Sequence, residues 1–124
     1  MRVSALDYNG GNSAEDVAEM INLVKGKGID IIHVSTGGVV PATIDVFPGY
    51  QTKPAEIVKN LTGLPTITGG LLLNLEMLED ILGNNRSDFV FLGRLLLRDP
   101  YFPLRAAAAC GADIPWPQQY VRAK

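Results

Sequence analysis

A chain of 124 residues, 47% hydrophobic and 19% charged, has enough apolar material for one globular domain with its own core, which excludes a disordered chain. The 11 Lys and Arg against 13 Asp and Glu give a net charge of -2, lacking the basic excess that binding a phosphate backbone requires, so no nucleic-acid partner is expected. The single cysteine, Cys110, allows neither an internal disulfide nor a cysteine-cluster metal site, and this suits a reducing, cytoplasmic setting.

The longest apolar run, Gly69 to Leu73, is too short to span a bilayer, and the N-terminus lacks a basic region followed by an apolar stretch. A cytoplasmic protein with no membrane partner is therefore expected.

Taken in chain order, strand-like segments alternate with segments of helical period, the mark of a parallel sheet covered by helices. Arg2 to Ala5 reads as the first strand. A helix follows, capped by Ser13 with Asp16 as its capping-box partner, and Val17, Met20, Ile21 and Val24 form its apolar face. Gly26 and Gly28 end it, and Ile29 to Ser35 reads as a buried second strand.

The long connection after that strand carries Phe47-Pro48-Gly49-Tyr50-Gln51, at the end of the sheet where barrels keep their working loops. A second helix is expected from near Pro54 to Gly63, then a third strand, Pro65 to Thr68, closed by Gly69-Gly70. Leu75, Leu78, Ile81 and Leu82 mark a third helix, ending at Gly83-Asn84-Asn85. The fourth strand, Asp88 to Leu92, delivers Gly93-Arg94, and a last helix, Pro103 to Cys110, precedes a tail with Trp116, Tyr120 and Arg122.

These four units amount to about half of a closed eight-stranded barrel of roughly 250 residues. The fold class expected is thus α/β, the C-terminal half of a TIM-type (β/α)8 barrel. Residues 1–124 form one partial domain that stands for strands five to eight plus a tail. Because the first strand begins at residue 2, a chain separated from an N-terminal half is expected. A four-stranded parallel sheet leaves open edges and an unfilled face, which calls for a homo-oligomer or a complementary N-terminal half.

Glycines at the ends of two strands, each just before a helix, let backbone N–H groups approach an anion with a favourable helix N-terminal dipole, and Arg94 adds a planar guanidinium suited to two phosphate oxygens. Gly69, Gly70, Gly93 and Arg94 are accordingly the candidate phosphate cradle, in the places where barrels hold phosphate after strands seven and eight. A sugar-phosphate aldolase or isomerase half would use the same cradle. No His or Cys pair stands at metal-ligand spacing, Ser4 and Ser35 have no histidine placed to activate them, and the only histidine, His33, reads as a strand interior residue.

The segments Arg2-Val3-Ser4-Ala5, Phe47 to Gln51, Gly93-Arg94-Leu95-Leu96-Leu97-Arg98-Asp99-Pro100 and Gln119-Tyr120-Val121-Arg122, in that order, resemble the C-terminal half of the Old Yellow Enzyme family, in particular its bacterial NADPH dehydrogenase branch. The resemblance implies an FMN-binding barrel that takes hydride from NAD(P)H and passes it to an enone-like acceptor. It implies that Arg2 lies beside the flavin N1 and O2 edge, and that Gly70, Gly93 and Arg94 hold the FMN phosphate. It also makes Arg122 similar to a tail arginine that reaches a neighbouring subunit's active site. The family's substrate-binding His-His or His-Asn pair and its Tyr proton donor precede the position of Arg2, so no catalytic residue is assigned to this chain. A non-catalytic half-barrel that binds phosphate or FMN, or self-associates, is the alternative.

Overall fold

The computed structural model describes residues 1–123, in two compact units, one of Met1–Leu92 and one from Gly93 onward. The first unit runs β1 (Arg2–Ser4), α1 (Ala14–Val24), β2 (Ile32–Ser35), α2 (Thr52–Thr62), β3 (Thr66–Thr68), α3 (Leu75–Gly83) and β4 (Phe89–Val90). The second holds α4 (Arg94–Arg98), α5 (Phe102–Ala109) and a 3-10 turn, Gln118–Ala123. Among the described residues no helix is long and apolar enough to cross a membrane.

The four strands pair in sequence order, all parallel, so each β/α unit lays its strand beside the previous one. This is the expected α/β architecture, a run of consecutive strands of a (β/α)8 barrel. The register sets Arg2 against His33, Val3 against Val34, Ile32 against Thr66 and Ile67 against Phe89. Because side chains alternate along a strand, Val3, Ile32, Val34, Thr66 and Thr68 share one face, while Arg2, His33, Ile67 and Phe89 share the other.

Within this unit, the helices cover the first of these faces. Val17 and Ile21 of α1, with Ala55 and Val58 of α2, pack against Ile32 and Val34 in the core. The amphipathic pattern of α1 therefore resolves into a narrower buried stripe than its period suggests, with Met20 and Val24 left exposed. In α3, Leu78 and Ile81 are buried and Leu82 is exposed. On the uncovered face Phe89 is 55% exposed.

Helix starts follow local chemistry. Ser13 holds extended backbone, its hydroxyl accepts from the Asp16 N–H, and the Asp16 carboxylate accepts from the Ser13 N–H at 2.9 Å, completing the expected capping box. Asn74 caps α3 by accepting from the Met77 N–H at 3.1 Å. The second helix starts at Thr52, two residues before Pro54, because the tight turn 47–52 already feeds helical backbone into it.

The start of β4 is tied to β3 by polar groups. The Asp88 carboxylate accepts from the Thr66 N–H at 2.8 Å and pairs with Lys59 at 3.0 Å, while Lys59 also donates to Asn85. Burial alone would raise the Asp88 pKa, but the Thr66 N–H and the Lys59 ammonium outweigh it and hold the group below its ordinary 3.8.

Candidate anion turn and the open sheet face

The chain leaves β3 through Gly69 and Gly70. Gly70 lies at φ 88 and Leu71 at φ 52, so two successive residues occupy left-handed backbone, which is uncommon for leucine and tends to mark functional turns. Among the described residues no backbone carbonyl accepts from the N–H of Gly69 or Gly70. The turn is fixed instead through the Gly70 carbonyl, which accepts from the Gly49 N–H at 2.7 Å.

Both glycines are required by packing. A Cβ at Gly69 would overlap the Phe91 ring, and one at Gly70 would lie 2.7 Å from the Tyr50 ring and 3.0 Å from the Gln51 stem. Strand end, left-handed backbone and N–H groups without a backbone acceptor together fit a phosphate, because they leave peptide donors to be satisfied at the end of the strand. One expectation is corrected here: Gly70 does not run straight into a helix, since α3 begins only at Leu75. The donors at this turn are its own peptide groups, not a helix terminus.

Gly93 and Arg94 belong to the second unit. Gly93 occupies the N-cap position of α4, its carbonyl accepting from Leu96 and Leu97 at 3.0 and 3.3 Å, and a Cβ there would meet nothing within 4 Å. Arg94 is the first residue of that helix, exposed, with no hydrogen bond or ion pair among the described residues. The short helix α4 was not expected from the sequence, since Leu95-Leu96-Leu97 has no helical period; only the Gly93 stop before an Arg-Leu-Leu-Leu-Arg run could have signalled it.

Arg2 projects from β1 on the uncovered face, beside its register partner His33. His33 is half-buried and stacks at 4.5 Å and 57° on Phe91, and its Nε2 is buried with no partner among the described residues. Burial, then the Arg2 charge and the N-terminal ammonium, hold its pKa below 6.5, so the ring is neutral at pH 7. Near the same strand ends, Ser4 donates to Asp7 at 3.0 Å and to the Gly37 carbonyl at 3.1 Å.

Arg122 is exposed in the terminal 3-10 turn, two residues beyond Tyr120, whose hydroxyl accepts from Tyr101 at 2.9 Å. A cleft of about 430 Å³ opens between the 47–50 loop and α3, lined by Phe47, Tyr50, Met77 and Arg86 among others, and none of the expected site residues reaches it.

Three comparisons bear on this geometry. A family model described as "NADH:flavin oxidoreductase / NADH oxidase family" matches residues 1–111. The chain is 48% identical to the NADPH dehydrogenase of Clostridium acetobutylicum over 99% of its own length and 37% of that protein's. It is 45% identical to the NADPH dehydrogenase of Geobacillus thermodenitrificans over 98% of its own length and 36% of that protein's. The chain thus spans somewhat over a third of the relatives it matches. With nine-tenths of its residues inside the matched region, this chain belongs to the NADH:flavin oxidoreductase / NADH oxidase family.

Proposed function

We propose that this chain supplies the phosphate-holding part of an FMN-dependent NAD(P)H oxidoreductase of the ene-reductase type, working in the cytoplasm. The observation that carries this reading is the Gly69-Gly70 turn, with left-handed backbone and N–H groups free of backbone acceptors at the end of a parallel strand. In this reading residues 1–124 stand for strands five to eight and the tail of a single barrel domain.

Gly69, Gly70 and Gly93 would border the FMN phosphate, Gly70 and Gly93 giving it backbone N–H groups, and Arg94 would add its guanidinium. Arg2 would face the N1 and O2 edge, where a fixed cation favours negative charge. Bound flavin supplies reversible hydride acceptance from NAD(P)H toward an enone-like acceptor. Arg122 would serve a neighbouring subunit's site.

Adding FMN to the purified chain tests the reading through flavin absorbance and fluorescence. A saturable change is expected, and no change at high micromolar FMN would overturn it. NADPH oxidation with an enone acceptor is expected only when a chain carrying the first four β/α units is supplied.

A second reading rests on the uncovered sheet face and its half-exposed Phe89: a non-catalytic half-barrel that binds FMN or self-associates. Flavin binding without turnover, even with the complementary units present, would favour it.

A further inference from the structure

We infer that Tyr50 and Gln51 are positioning residues for the Gly69-Gly70 turn, setting the direction of the N–H groups that meet an anion there. The inference rests on the proposed role of that turn in holding a phosphate. Phe47-Pro48-Gly49-Tyr50-Gln51 read from sequence as a working loop, yet the fold turns it inward upon the third strand's glycines.

Tyr50 and Gln51 are held from three sides. The Tyr50 N–H donates to the Phe47 carbonyl at 3.1 Å and the Thr52 N–H to the Gly49 carbonyl at 2.8 Å, closing a tight turn that Gly49 permits at φ 77. Gln51, 6% exposed, takes the N-cap position of α2, its carbonyl accepting from the Ala55 N–H at 3.3 Å. Its Nε2 donates to the Tyr50 hydroxyl at 3.1 Å, and this bond fixes the ring in the space that a Gly70 side chain would need.

The opposite end of the same amide, Oε1, is buried without a partner among the described residues. A buried unpaired acceptor is destabilising, so a residue chosen only to fill space would be apolar here. The amide N–H instead orients the ring against Gly70, while the Gly49 N–H holds the Gly70 carbonyl from the other side. Backbone and ring together lock the peptide planes on which the donors sit.

The test compares FMN with riboflavin, which lacks the phosphate. Flavin fluorescence titrations of the chain give the ratio of the two dissociation constants for the wild type, Gln51→Met and Tyr50→Phe. Thermal unfolding without ligand establishes that each variant is folded. Loss of oriented donors to a charged group is expected to lower the preference for FMN on the order of tenfold in both variants, with riboflavin affinity within about twofold of wild type. In amide NMR, the Gly70 shift caused by inorganic phosphate should shrink in parallel.

If folded variants keep the wild-type ratio and the full Gly70 shift, the inference is overturned. If the wild type itself binds both flavins equally, the phosphate reading of the turn fails, and the positioning role with it. Should Gln51→Met not fold, Tyr50→Phe carries the same expectation, since it keeps the ring and loses only the hydroxyl that Gln51 grips.

Discussion

Gly70 combines left-handed backbone with a Tyr50 ring packed against its Cα, so a methyl group there is opposed twice. Gly70→Ala should lower stability by about 1 to 3 kcal/mol, read as a reduced urea midpoint at unchanged slope. Gly93→Ala, with open space around the Cβ position, should stay within about 0.5 kcal/mol while still weakening FMN binding if its N–H meets the phosphate. His33 carries a pH signature. Its folded pKa lies below the unfolded 6.5, so the unfolded chain binds more protons below that value. Stability should be full above pH 6.5 and fall as pH drops from there toward the folded pKa, a slope that His33→Gln should flatten in denaturant titrations between pH 5 and 8. The glycine pair was legible as a strand-end turn because glycines after a β-branched run have few other uses. That Phe91 and Tyr50 demand those glycines was not, since the contacts join residues about 20 positions apart.

At the scale of elements, caps and starts are local and were readable. Ser13→Ala removes one half of a closed capping box and should cost about 1 kcal/mol, with the helical circular dichroism transition shifted down accordingly. The join between β3 and β4 was not readable, because it depends on Asp88 meeting a backbone N–H of Thr66 and the Lys59 side chain from another helix. A depressed carboxylate stabilises the fold above its unfolded pKa and loses that contribution as it protonates. Acid denaturation should therefore steepen as pH falls below about 3.8, and Asp88→Asn should remove part of that acid limb while lowering stability at neutral pH. The short helix α4 escaped the sequence reading because five residues are too few to show a period.

At the scale of the whole molecule, the helices of the first unit pack on one face of its sheet and leave the other without helices of that unit. Parallel sheets are ordinarily covered on both faces, so the row of Arg2, His33, Ile67 and Phe89 expects a partner surface. If the chain self-associates through that face, Phe89→Asp should shift sedimentation toward the monomer and leave urea stability within about 0.5 kcal/mol, since Phe89 is already half in water. The sequence by itself determined the β/α alternation, the parallel class, the capped helices and the family, because hydrophobic period, cap chemistry and motif order are local or linear properties. The tertiary structure alone decided which strand face the helices of the first unit cover, that the Phe47 to Gln51 loop braces the Gly69-Gly70 turn, and that the His33 Nε2 is buried with no partner among the described residues. Those features depend on strand register and on contacts between distant segments, which no local pattern encodes.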